Sequence, residues 1–183
     1  MVGLLLPMEA AVAEPGPCPT TSGASYTLLA DCVAPSTWTV DSLGTIDGNG
    51  HTITLAPGFT GPVIASTPGP NSVGGATSMT IEHLNIDAAG ASSALLFSGA
   101  TGAVHDVHIT GGAGTDYGVE VDNATAPAAF GTGLVKIDRG TTIGGYQVAG
   151  VYVHGDAKFS VLKSTIDGPG GAPGPIVSGI WAA

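Results

Sequence analysis

The chain has 183 residues, 43% hydrophobic and 10% charged, with 30 glycines and 13 prolines; this is long enough for one packed domain, too apolar for disorder and too often punctuated for long helices. Four Lys+Arg against fourteen Asp+Glu give a formal charge of −10, and no cation precedes Lys136. That balance argues against nucleic acid or an anionic membrane surface as partner, since both are held by clustered cations.

The chain opens on Met1-Val2-Gly3-Leu4-Leu5-Leu6-Pro7-Met8-Glu9-Ala10-Ala11-Val12-Ala13, an apolar stretch ending in the small-x-small pattern that a signal peptidase cuts. Residues 1–13 therefore read as the remnant of a secretory signal peptide, and the protein as secreted and extracellular. No basic residue precedes the stretch and Glu9 interrupts it, so the leader is expected to begin upstream. No other apolar run nears the ~20 residues of a membrane span, and none is expected. Cys18 and Cys32, the two cysteines of the chain, are predicted to pair in the oxidising compartment that export implies. On the chain-entropy model such a loop closure stabilises the fold by about 3 kcal/mol.

Residues 14–43 are read as an N-terminal cap with the first strands, and 44–183 as the repeating part. Its first turn carries Ile46-Asp47-Gly48-Asn49-Gly50-His51-Thr52-Ile53-Thr54-Leu55. Carboxylate, amide and imidazole among glycines suggest a ligand loop, but a corner explains them better. Gly48 and Gly50 permit positive φ, Asn49 tolerates the left-handed region, and Asp47 and His51 can bond nearby backbone.

Beyond it, Ile81-Glu82-His83-Leu84-Asn85-Ile86, Val104-His105-Asp106-Val107-His108-Ile109 and Val161-Leu162-Lys163-Ser164-Thr165-Ile166 superpose, and Ile137-Asp138-Arg139-Gly140-Thr141-Thr142-Ile143 fits with one inserted residue. Each is followed by a Gly-rich turn and a second short strand: Ala94-Leu95-Leu96-Phe97, Gly118-Val119-Glu120-Val121, Gly150-Val151-Tyr152-Val153 and Gly179-Ile180-Trp181-Ala182. A strand, turn, strand, loop unit recurring at about 23 to 33 residues is the spacing of a solenoid. Alternation in Val119-Glu120-Val121 and Val151-Tyr152-Val153 puts apolar residues on one face. The alternative all-β architecture is a sandwich of hairpins, to which Asp47-Gly48 and Asp167-Gly168 would contribute turns.

The Ile46–Leu55 segment, the preceding Tyr26-Thr27-Leu28-Leu29-Ala30-Asp31-Cys32 and the later Ile/Val rungs resemble parallel β-helix repeat proteins of the pectin-lyase-like superfamily, from about Cys18 to the C-terminus. The resemblance implies an all-β, right-handed parallel β-helix, here a short solenoid of about five coils, often with carbohydrate as partner. Activity does not follow from fold.

Aligned repeats stack side chains into columns. One outward column reads His83, Asp106, Arg139, Lys163, and its neighbour Glu82, His105, Asp138, Leu162. Rungs about 4.8 Å apart let adjacent members touch. Asp106 with Arg139 is an expected ion pair, and His105 would sit between two carboxylates. Glu82, His83, His105, Asp106, Asp138, Arg139 and Lys163 are the predicted binding surface for a polar chain such as a polysaccharide or cell-surface glycan; a solvated ladder of weak ion pairs is the plainer alternative.

Catalysis is the minority expectation. The lyases of the superfamily imply a basic residue that abstracts a proton beside a uronate carboxylate; only Lys136, Arg139, Lys158 and Lys163 could serve, with Arg139 as the candidate. The hydrolase motifs implied by the family, Asn-Thr-Asp, Asp-Asp and Gly-His-Gly, do not occur; Val153-His154-Gly155-Asp156 is only faintly similar. No facing carboxyl pair for glycoside hydrolysis is identifiable. Asp116, Glu120 and Asp122 form an acidic corner that would take calcium, but three carboxylates fall short of its 6–8 oxygens, so no metal or cofactor is assigned. His105-Asp106-Val107-His108 lacks the second ligand pair of a zinc site. Asn123-Ala124-Thr125 matches a glycan acceptor. Thr52, Thr54, Thr142 and Thr165 form no Thr-x-Thr array, which argues against ice binding.

The end, Gly179-Ile180-Trp181-Ala182-Ala183, stops with the apolar pattern still running. A solenoid needs a cap, so a longer natural product, self-association or partner docking at this end is expected. The functional expectation is a secreted, non-catalytic β-helix presenting a polar face to carbohydrate or cell envelope. The alternatives are a polysaccharide lyase or related carbohydrate-active enzyme, and a structural segment of a larger adhesin.

Overall fold

The computed structural model describes residues 14–22, 25–40, 44–66, 77–122, 134–155, 157–167 and 179–181. Residues 1–13, Asn123 to Thr125, Asp156, Gly168 and the side chains of His154 and of Gly179 to Trp181 lie outside the description, and with them the leader, the glycan acceptor and the C-terminal end.

The strands are β1 (Gly16–Pro17), β2 (Thr21–Ser22), β3 (Ser25–Thr27), β4 (Cys32–Ala34), β5 (Trp38–Val40), β6 (Gly44–Asp47), β7 (Thr52–Leu55), β8 (Ile64–Ser66), β9 (Thr77–Asp87), β10 (Ser93–Ser98), β11 (Ala100–Thr110), β12 (Tyr117–Asp122), β13 (Leu134–Asp138), β14 (Thr142–Gly144), β15 (Ala149–His154), β16 (Lys158–Val161), β17 (Thr165–Ile166) and β18 (Gly179–Trp181). Among the described residues there is no helix. The strands form an 11-stranded and a 7-stranded sheet. Every pairing among them is parallel. Among the described residues there is therefore no hairpin of the kind a sandwich would need. At Asp47-Gly48 the chain turns between β6 and β7, which pair with β9 and not with each other.

Register explains the core. Ile46, Ile81, Val104, Ile137 and Val161 stack in one column. Ile53, Ile86, Ile109, Ile143 and Ile166 stack in a second, and Trp38, Ile64, Leu95, Val119 and Val151 in the third, on the other sheet. A single layer is too thin to bury its own apolar side chains; the next layer covers them. Most of these residues are sequestered from solvent, each worth about 1.5–3 kcal/mol of burial. β3 and β4 lie beneath β6 and β7, and β1 lies beneath β4, so the Ile46–Leu55 segment is not the first turn as expected: its β6 half is the second strand of one column and its β7 half the third of the other.

Between the two strand columns of that sheet the chain turns a corner in every upper layer. Asn49, His83, Asp106, Arg139 and Lys163 all have left-handed backbone there, with φ between 49° and 57°. Each non-glycine residue in this region costs about 1–2 kcal/mol, least for Asn, Asp and His. Gly48, beside this corner, is fixed by close approach: a Cβ would stand 2.6 Å from the His83 carbonyl oxygen and from the Leu84 Cα. The extra residue after Arg139 is accommodated by buried Thr141, whose hydroxyl donates to the Asp138 carbonyl at 2.8 Å.

The Cys18–Cys32 disulfide forms, joining the segment just after β1 to β4 at the bottom of the larger sheet.

Candidate functional site

Strand alternation decides which side chains face outward beside the corner. In β13, Val135 and Ile137 point into the core while Leu134 and Lys136 are exposed and Asp138 is half-buried. Register carries the pattern through the layers: Thr80, Ala103 and Lys136 align, and so do Asp47, Glu82, His105 and Asp138. Thr80, Ala103, Lys136, His105 and Asp138 of these columns border an open groove of ≈ 560 Å³, with Thr101 and Arg139 among its other lining residues. Hydroxyl, imidazole, carboxylate and two cations there can donate to and accept from the hydroxyls of a polar chain.

Histidines and carboxylates interlock along the same side. His105 Nδ1 is bonded to Asp138 Oδ1, and Arg139 Nε lies 3.9 Å from that same oxygen. His83 Nδ1 lies 3.1 Å from Asp47 Oδ1, and His51 Nδ1 lies 3.2 Å from Asp31 Oδ1. His108 bonds the Thr142 hydroxyl at 2.8 Å and approaches Asp106 at 3.8 Å. The Thr52 amide, donating to Asp31 at 2.9 Å, is the main cause that holds the Asp31 carboxyl below its ordinary range, with His51 reinforcing it against some desolvation.

Of the seven predicted binding residues, His105, Asp138 and Arg139 line the groove. Glu82 stands in register with His105. His83, Asp106 and Lys163 form the left-handed corner column with Arg139. The expected Asp106–Arg139 pair gives way to Asp106 with His108 and Arg139 with Asp138, because corner residues leave the alternating direction of the strand. Asp47 serves the corner as expected, accepting from the Asn49 amide at 2.9 Å, whereas the His51 side chain bonds the Asp31 carboxylate rather than nearby backbone. Their partners His83 and Asp31 come from other layers and escaped sequence reasoning. So did Thr80 and Thr101, although the alternation Leu134, Lys136, Asp138 would have pointed to that face.

On the other sheet Glu120 and Asp122 share the outer side of β12, with Asp116 just before it. They do not bring three ligand atoms within 4.8 Å of one another; among the described residues only Asp47, Glu82 and His83 do. Beside them Tyr117 and Tyr152 stack with ring centroids 4.5 Å apart. Desolvation first, then Tyr152 and the nearby carboxylates, raises the Tyr117 phenol above its ordinary value.

No protein-family model matches the chain, and no curated protein or solved structure matches it.

Proposed function

We propose that the chain is an exported right-handed parallel β-helix of the pectin-lyase-like kind that binds carbohydrate through the groove beside its corner column, without catalysis. Stacked parallel strands in constant register support the solenoid, and the strong rule that parallel crossovers are right-handed supports its hand. The disulfide supports an oxidising compartment. The observation that carries the binding reading is the ≈ 560 Å³ groove, which joins Thr80, Thr101, His105, Lys136, Asp138 and Arg139 across three layers. An extended ligand lying across stacked strands would meet equivalent side chains at about 4.8 Å intervals. Affinity electrophoresis through a panel of neutral and acidic polysaccharides is the test: retardation by at least one, lost in Lys136→Ala/Arg139→Ala, supports it, and free migration through all of them sinks it.

One observation favours the lyase reading. All four Lys and Arg residues of the chain belong to the adjacent layers of β13 and β16 and their corners, with Leu134 and Lys158 in register. Cations gathered beside Asp138 and His105 suit a polymer bearing carboxylates, with Arg139 as base. Absorbance of unsaturated product from uronate polymers, with and without calcium, separates the two: signal lost in Arg139→Ala establishes turnover.

A further inference from the structure

We infer that Asp47, Glu82 and His83 form a binding site for a borderline divalent cation of the zinc class, held between two adjacent layers. One ligand atom from each of the three side chains lies within 4.8 Å of the others. His83 Nδ1 and Asp47 Oδ1 are 3.1 Å apart, close to the edge of about 3.4 Å that follows for a tetrahedral ion with bonds of 2.0–2.1 Å. Glu82 has only to swing inward to complete a face, and its carboxylate is engaged in no ion pair among the described residues.

Charge supplies the second argument. Register places Asp47 directly under Glu82, so two carboxylates are stacked in a chain whose formal charge is −10. Among the described residues neither carboxylate is ion-paired to a Lys or Arg, and the column continues through His105 to Asp138 before the first cations, Lys136 and Arg139, appear. A bound divalent ion offsets that repulsion. The donor set selects its class, because an imidazole with two carboxylates suits zinc and its neighbours, whereas calcium wants 6–8 oxygens. Three protein ligands also leave a fourth position to water.

The corner holds the donors ready. Asp47 is oriented by the Asn49 amide at 2.9 Å, and His83 by its place in the left-handed column. The ion would thus clip the β6 layer to the β9 layer independently of the groove above.

Calorimetric titration of the disulfide-bonded protein with Zn²⁺ at neutral pH tests this. One strong equivalent is expected, weakened by more than about tenfold, the lower bound typical of outer-shell changes, in Asp47→Asn, which keeps an acceptor for Asn49, and in His83→Asn, which tolerates the left-handed corner. Glu82→Gln disturbs no corner hydrogen bond and serves should circular dichroism show either variant misfolded. His51→Gln and His108→Gln keep the strong equivalent. Absence of a strong Zn²⁺ equivalent, unchanged affinity in the folded variants, loss in His51→Gln or His108→Gln instead, or Ca²⁺ binding as tightly as Zn²⁺ would each overturn the assignment.

Discussion

His105 and Asp138, which lie 33 residues apart in the chain, are hydrogen-bonded side chain to side chain across adjacent layers, with only 15% and 27% of their side chains exposed. The same Asp138 oxygen faces the Arg139 guanidinium, whose side chain is 65% exposed. One carboxylate therefore orients both the imidazole and a cation at the rim of the groove.

Removing that carboxylate leaves a half-buried histidine unpaired and frees the arginine. Asp138→Ala is expected to cost about 1.5–3 kcal/mol, as for a hydrogen bond to a charged group, and to weaken polysaccharide retardation along with it. Urea denaturation measures the first and affinity electrophoresis the second. Equal stability of wild type and variant would mean that the pair is solvated.

The acid limb of stability is expected to depend on Asp31. Its folded pKa is lowered, chiefly by the Thr52 amide, so it favours the folded state above its unfolded value, near 3.8, and that contribution fades as pH falls through the folded value. Asp31→Asn should flatten the pH dependence below about pH 4 in thermal melts. At the alkaline end the sign reverses: Tyr146, only 2% exposed, has its phenol raised by burial, against an opposing hydrogen bond with Gly150. Its contribution is complete below about pH 10 and is lost as pH climbs through the raised value, so Tyr146→Phe should unfold at a higher pH.

The disulfide closes a separation of 14 residues. Chain entropy alone predicts a loss of about 3 kcal/mol on opening it. Cys18→Ala/Cys32→Ala should show that loss in denaturant midpoint, and hydrogen exchange should place the loosened amides in β1, β3 and β4 before the layers above.

The corner makes two opposite predictions. Gly48→Ala drives a methyl into the His83 carbonyl and the Leu84 backbone and is expected to destabilise by at least about 1–3 kcal/mol, the cost of overpacking. Lys163→Asn replaces a residue strained at φ 51° by one that adopts this region readily, and is expected to gain up to about 1 kcal/mol. Chemical denaturation of the two variants checks both signs.

Much of the layered arrangement was legible in the sequence because each rung repeats the same local alternation. Ile81, Val104, Ile137 and Val161 could be aligned by pattern, and the alignment carried Glu82, His105 and Asp138 into one column, where register places them. Cys18 and Cys32 could be paired by number and context, and Asp47 assigned to its turn by Asx chemistry. Parallel pairing, by contrast, was only one of two readings, since short strands with Asp-Gly turns also suit hairpins.

Contacts between layers were decided by the tertiary structure. His83 meets Asp47 across 36 residues and His51 meets Asp31 across 20, distances along the chain that no local rule spans. Asp106 and Arg139 were adjacent in the column and yet found other partners. Alternation predicts direction only for extended backbone; at a left-handed corner the Cα–Cβ bond swings out of that alternation, and which neighbour it meets depends on the layers above and below. Sequence periodicity thus determined which residues share a column, while the backbone conformation at the corner determined which of them touch.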